Sequence, residues 1–467
     1  MRIVVLAAAA LLASAGTAGG FYRVSKGTDG AWQLTDPSGR LMTWLGVDHV
    51  KFNGFRCEAE QNRMRYREEN IRKFVTRPAW ASNTVARLRS WGFNALGAGC
   101  DVKDLKGFGL GRTVFLALGD SATGEKDDGE HYLAENLHVP GTAFPNVFNP
   151  DFAERCDRAA AKACAANRDD PEILGYFIDN ELAWEGRNRG ATRAWGLFDA
   201  ACAKPAGHSA RVAAERFLAE RGLKVGDEIP LDVKFAFVGL VAEKYFSTAA
   251  AAIRRYDPNH LVLGCRFAGA IVPNSVWQAA GRHCDVVTLN GYAHADLARN
   301  EVGLGFQGRR LPIGEALTRI SALAGRPVLI TEWSFPAFDS GLPCSRGAGQ
   351  RFDTQLERAR ASALYAHHVL ALPCVIGYDY FMWVDMPAKG ISFGYPEDTN
   401  YGLVREDGTA YDELTRALAD VQRTPRATLR KWTAPDAGSV ASATAEDFLA
   451  VYDPVTNAAD ASVSFAF

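Results

Sequence analysis

Eight short apolar runs, separated by stretches with helical periodicity, constrain this chain more than any other feature. They span residues 42–47, 93–97, 113–118, 174–180, 261–267, 285–290, 327–331 and 375–382. Runs of this length without polar alternation read as strands covered on both faces, as in a parallel sheet. Between them, residues 84–91, 152–167, 233–256 and 350–370 carry apolar side chains at helical spacing. Strands alternating with helices make βα units, and eight such strands predict an α/β fold of the (β/α)8 TIM-barrel type. An open doubly wound sheet is the alternative, but no GxGxxG opens a helix after a strand.

At 467 residues the chain suits one large barrel with loop insertions. Residues 1–20 read as a secretory signal: Arg2, an apolar stretch, then the small residues Ala13-Ser14-Ala15-Gly16-Thr17-Ala18. Secreted or periplasmic localisation follows as an expectation, with no membrane partner after cleavage. A short N-terminal β-hairpin is expected over residues 21–43, turning at Asp36-Pro37-Ser38-Gly39. The barrel domain is expected over 21–425. A small C-terminal β segment is expected over 426–467, with strand-like runs at 445–452 and 461–465.

Composition narrows the partners. A net charge of −2 gives no electrostatic reason to bind nucleic acid or an anionic membrane. The 10 Trp and 14 Tyr lean towards surfaces that stack on sugars, although most rings are expected in the core. Nine cysteines occur without a CxxC pair, so zinc-ribbon spacing is absent, and their odd number leaves at least one free in a monomer. No metal and no cofactor are expected. Oligomeric state is not legible.

Two glutamates carry the chemistry. Glu181 closes Ile173-Leu174-Gly175-Tyr176-Phe177-Ile178-Asp179-Asn180, and Glu332 closes Pro327-Val328-Leu329-Ile330-Thr331. In the barrel they end the fourth and seventh strands, where active-site residues collect. Glycosidic bond cleavage needs a proton donor and a nucleophile or base, and a retaining enzyme holds the two carboxyl groups about 5–5.5 Å apart. Asn180 suits a sugar 2-hydroxyl. The long stretches 51–78, 120–150 and 184–232 follow the first, third and fourth strands, where such loops shape a cleft.

These motifs resemble clan A glycoside hydrolases, and more specifically the family 50 β-agarases and related β-galactosidase-like enzymes. Further matching stretches are Phe93-Asn94-Ala95-Leu96-Gly97, Phe144-Pro145-Asn146-Val147-Phe148 and Thr399-Asn400-Tyr401-Gly402-Leu403-Val404. The resemblance implies a retaining β-glycosidase with Glu181 as acid/base and Glu332 as nucleophile. A β-linked, galactose-containing carbohydrate is the implied substrate. Tyr292 is implied as a hydrogen-bond donor to the nucleophile, and Trp383 as the stacking floor of the cleavage subsite. His49, Asn53, Asp101 and Arg266 follow other strands and are expected to contact sugar hydroxyls. Three alternatives stay open: cleavage of another β-glycan such as mannan or galactan, a non-catalytic carbohydrate-binding barrel, and a metal-dependent barrel hydrolase.

Overall fold

The computed structural model describes residues 20–119, 129–135, 142–184, 196–306, 309–392 and 394–430. Residues 1–19 of the expected signal segment and the strand-like runs at 445–452 and 461–465 lie outside these residues. Eight parallel strands close into a barrel. In chain order they are β1 (Trp44–Val47), β2 (Ala95–Leu96), β3 (Gly111–Phe115) and β4 (Ile173–Asn180). They continue with β5 (Leu261–Ala268), β6 (Val287–Asn290), β7 (Val328–Glu332) and β8 (Val375–Tyr380). Each strand pairs with the next, and β8 returns to β1 in the register Gly377↔Trp44 through Tyr380↔Val47.

The apolar runs form strands because both of their faces are buried. Trp44, Ala95, Leu174, Leu261, Leu263, Val286, Leu329 and Ile376 share one cluster with Tyr22 and Leu34 of the N-terminal lead-in. The lead-in therefore packs onto the barrel interior. A second, larger cluster joins the outward faces of the strands to the surrounding helices.

The lead-in is a three-stranded antiparallel sheet (Arg23–Lys26, Trp32–Thr35, Leu41–Met42) where a hairpin was expected. Met42, expected in the first barrel strand, pairs with Leu34 instead. Its turn forms as the Asp-Pro-Ser-Gly sequence predicts: the Asp36 carboxylate accepts the N–H groups of Ser38 (2.9 Å) and Arg40 (3.0 Å).

The stretch after β1 is not all loop, since it includes the helix Arg65–Lys73. The stretch after β4 likewise includes the helices Gly196–Ala203 and Ser209–Ala219. The helix Leu231–Tyr256 is long and apolar enough to cross a membrane by length and composition. Here it packs as a core helix, burying Phe237, Val241, Tyr245, Phe246 and Ile253. Residues Arg426–Arg430 are helical, so the expected β segment does not begin at 426. There Arg426 donates to the carbonyls of Leu370, Leu372 and Val375, and these contacts favour a docked helical turn over an independent strand. All nine cysteines are unpaired, and Cys265 and Cys284 are fully buried as small apolar residues.

Candidate active site

The end of β4 delivers Glu181. Residues 173–179 of this strand are buried, and burial on both faces fixes their register. Asn180 pairs with Arg266 of β5. Glu181 then leaves the strand with left-handed backbone, φ 48, while its N–H donates to the Arg266 carbonyl at 2.9 Å. Such a conformation at a non-glycine residue costs on the order of 1–3 kcal/mol. Its persistence at a strand end marks a site where side-chain placement outweighs backbone ease.

Asn290, the last residue of β6, is the register partner of Glu332 and bonds through its side chain to Glu181. Its Nδ2 donates to Glu181 Oε1 at 2.7 Å and, more weakly, to Asn180 Oδ1 at 3.3 Å. The Thr331 hydroxyl of β7 donates to Asn290 Oδ1 at 2.8 Å. That bond sets which way the amide points, leaving its N–H side for the carboxylate.

Glu332 ends β7 inside the strand and is 7% exposed. Tyr292 donates its hydroxyl to Oε2 at 2.9 Å, and Arg266 Nη2 lies 3.0 Å from Oε1. The same Nη2 donates to the Thr331 carbonyl and to Asp48 Oδ2, both at 2.7 Å. Behind Glu332, Trp333 stacks on Tyr365 at 4.2 Å and is fully buried.

Burial pushes the Glu332 carboxyl up to about 8. The Arg266 charge opposes that rise, repulsion from Glu181 adds to it, and the Tyr292 hydrogen bond opposes it. Glu332 therefore holds its proton to unusually high pH for a carboxyl group. The neighbours differ: Glu332 meets a guanidinium and a hydroxyl, both favouring its charged form, whereas Glu181 receives one amide.

The remaining sequence-derived residues divide. His49 follows β1 with φ 54 and packs against the rings of Phe55 and Phe381. Burial, and then the charges of Lys51 and Arg266, hold its imidazole well below the ordinary range, hence neutral. His49 Nδ1 and Asn53 Oδ1 are buried without a hydrogen-bond partner among the described residues. Arg266 lies beneath Glu332 as an ion-pair partner, where a direct sugar contact was expected.

Asp101 stands apart. Its Oδ2 accepts the Phe52 N–H at 2.8 Å and pairs with Arg77 at 3.1 Å, which ties a loop to a helix. Trp383 is a correction. It is fully buried, donates to the Tyr66 hydroxyl at 2.7 Å, and lies beside Trp91 and Arg87. It is therefore core, not a sugar floor. Phe381, 7% exposed, is the ring after β8 that meets His49, Tyr292 and Tyr401.

A third carboxyl, Glu397, was missed by sequence reasoning. Burial pushes it up to about 7, repulsion from Glu181 adds, and Tyr401 and Arg351 oppose. The Tyr401 hydroxyl lies 3.4 Å from its Oε1 and 3.1 Å from the Ala348 carbonyl. Arg351 donates to the carbonyls of Cys344, Gly347 and Gly349, and Asp398 accepts the N–H groups of Ser345 and Arg346. The segments after β7 and β8 are thereby stitched together around Glu397. A Cβ at Gly347 would come within 2.2 Å of the Tyr401 hydroxyl oxygen, so the seam needs glycine there. The one sequence signal was proximity to the matched Thr399–Val404 stretch.

No protein-family model matches the chain. It is 25% identical over 476 residues to β-agarase A of Vibrio sp. (strain JT0107), covering 85% of this chain and 45% of that protein. Against β-agarase B of the same strain it is 24% identical over 488 residues, covering 85% and 47%. By sequence it is a distant relative of the β-agarases. The chain spans about half the length of these curated relatives. Among solved structures, BpGH50 matches with a TM-score of 0.71 at 21% identity, covering 89% of this chain and 84% of that one. An exo-β-agarase matches at 0.70 and 20% identity, and the agarase AgWH50C at 0.69 and 24%. Each covers 89% of this chain, and they are covered over 66% and 64% of their own lengths respectively. These likenesses confirm the barrel fold.

Proposed function

We propose that this protein is a retaining β-glycoside hydrolase of the clan A type, acting on β-linked, galactose-containing polysaccharide or oligosaccharide of the agarose kind. The observation that carries the reading is the setting of Glu181 and Glu332 at the ends of β4 and β7, with Asn290 bonded to Glu181 and to Thr331, the residue before Glu332. Similarity to two β-agarases supports the substrate class. The N-terminal signal pattern of residues 1–20 supports export.

In the first step Glu332 attacks the anomeric carbon as a carboxylate, and Glu181 gives its proton to the leaving oxygen. Arg266 and Tyr292 favour the ionised form of Glu332 against the pull of burial and fix its lone pairs. In the second step Glu181 takes a proton from water, which displaces Glu332 from the sugar with net retention. Asn290 orients Glu181 through both states. Asn180 contacts the 2-hydroxyl, while His49 and Asn53 offer unpartnered polar atoms to other hydroxyls.

Purified protein assayed on agarose oligosaccharides, aryl β-galactosides and other β-glycans tests the reading, with the first product's anomer read by NMR. A β-anomer from agarose-type substrate is expected. An α-anomer would overturn the double displacement, and cleavage confined to mannan would overturn the substrate class. Hydrolysis that persists in both Glu181→Ala and Glu332→Ala would place the chemistry elsewhere.

A further inference from the structure

The barrel interior beneath Glu332 holds more acid than its charge balance explains. Asp48, at the end of β1, and Asp379, in β8, are both fully buried. Asp48 and Glu332 lie against the buried Arg266 guanidinium at 2.7 and 3.0 Å, and Asp379 and Glu181 add their charge nearby, so several carboxyl groups act on one cation. Room for the two aspartates comes from glycine. A Cβ on Gly97 would lie 2.0 Å from Asp48 Oδ1 and 2.8 Å from Asp379 Cγ, which sets the two carboxyl groups within about 5 Å of each other. Gly46 likewise clears Asp379 Oδ1, which a Cβ there would meet at 1.9 Å. Buried carboxyl groups this close cannot both be ionised cheaply.

The donors tell them apart. Asp48 has both oxygens engaged: Oδ1 accepts the Ala98 N–H and Oδ2 the Arg266 guanidinium, each at 2.7 Å. Asp379 has Oδ1 accepting the Trp44 indole N–H at 2.7 Å, while Oδ2 is buried without a partner among the described residues. We propose that Asp48 is an ionised positioning residue that acts on Glu332 through Arg266, and that the adjoining Asp379 is kept as a neutral acid.

Asp48 fixes the guanidinium under Glu332 and takes part of its charge, so Glu332 stays basic enough to attack. A neutral Asp379 leaves that sharing undisturbed. Burial pushes both aspartates up, Asp379 to about 7, in keeping with one proton held between them. The other titratable or charged groups facing the pair are Glu332, Glu181, Arg266, the neutral His49, Lys51 and the Cys100 thiol, which burial pushes up.

This inference rests on Glu332 as the nucleophile, and its test separates the two. The pH profile of kcat/KM is measured for Asp48→Asn and Asp379→Asn on the best galactoside substrate. Removing the Asp48 charge is expected to lower kcat about tenfold with KM within about twofold. It should also move the whole bell to lower pH by about half a unit or more. Asp379→Asn, which replaces a neutral acid by a neutral amide, is expected to stay within about twofold and leave the bell in place. A bell that moves as far in Asp379→Asn as in Asp48→Asn, or that moves in neither, overturns the assignment.

An infrared measurement needs no activity and serves if Asp48→Asn does not fold. At pH 6 the carbonyl band of buried protonated carboxyl should lose intensity in Asp379→Asn relative to the unaltered protein, and unchanged intensity contradicts the proposal. Full activity in Glu332→Ala would remove the nucleophile reading yet leave the infrared result standing.

Discussion

The ends of β4 and β7 present the same side chain in opposite settings. Glu332 stays within the ladder, is nearly enclosed, and rests on a guanidinium and a tyrosine hydroxyl. Glu181 steps out of its strand into left-handed backbone and meets one amide. Rigidity and two charge-favouring neighbours suit a nucleophile that must ionise in a dry site. A more open position with a lone amide suits a group that gains and loses a proton in each turnover. Identical residues acquire different roles from what surrounds them.

The sharpest way to break this contrast is to remove each glutamate. Glu332→Ala should lower kcat by roughly 10⁴-fold or more on every substrate. Glu181→Ala should do as much on oligosaccharides but far less on aryl glycosides, whose leaving groups need little protonation. Equal losses on both substrates would erase the distinction. Next in size, Tyr292→Phe removes a hydrogen bond to a charged group, worth about 1.5–3 kcal/mol. That converts to roughly 10- to 100-fold in kcat, and the pH profile should shift alkaline because Glu332 loses a donor that lowers it.

The proton on Glu332 gives two pH tests. Activity should rise with pH towards about 8, because Glu332 attacks only as the carboxylate and burial holds its proton up to that range. For stability, the folded protein keeps a proton on Glu332 between the ordinary 4.5 and about 8 that the unfolded chain has released. Folded stability therefore falls as pH rises across that window. Glu332→Gln removes the penalty, so its melting temperature should gain more over the unaltered protein at pH 8 than at pH 5. The smallest effect on catalysis is expected at Trp383. Truncation to Ala should cost about 3–5 kcal/mol of stability while KM stays within about twofold, and a large rise in KM would restore it to the cleft.

The strand alternation made the barrel legible, because residues buried on both faces leave a continuous apolar trace that one sequence displays. Glu181 and Glu332 were legible for the same reason: each closes such a trace. Trp383 was misread because distance past a strand end says nothing about which way a side chain packs; Tyr66 and Arg87, from distant segments, claim it for the core. Arg266 and Asp48 were visible only as polar residues near strand ends, since their ion pair spans 218 positions. Glu397 was invisible because the segments after β7 and β8 that bury it carry no periodic signal.

Which carboxylate bonds to the sugar decides the roles of the two glutamates. The protein would be incubated with an activated 2-deoxy-2-fluoro-β-galactoside, digested, and its labelled peptide sequenced by mass spectrometry. The label should sit on Glu332, with Glu181→Ala still labelled at that residue. A label on Glu181 or Glu397 would contradict the assignment of roles.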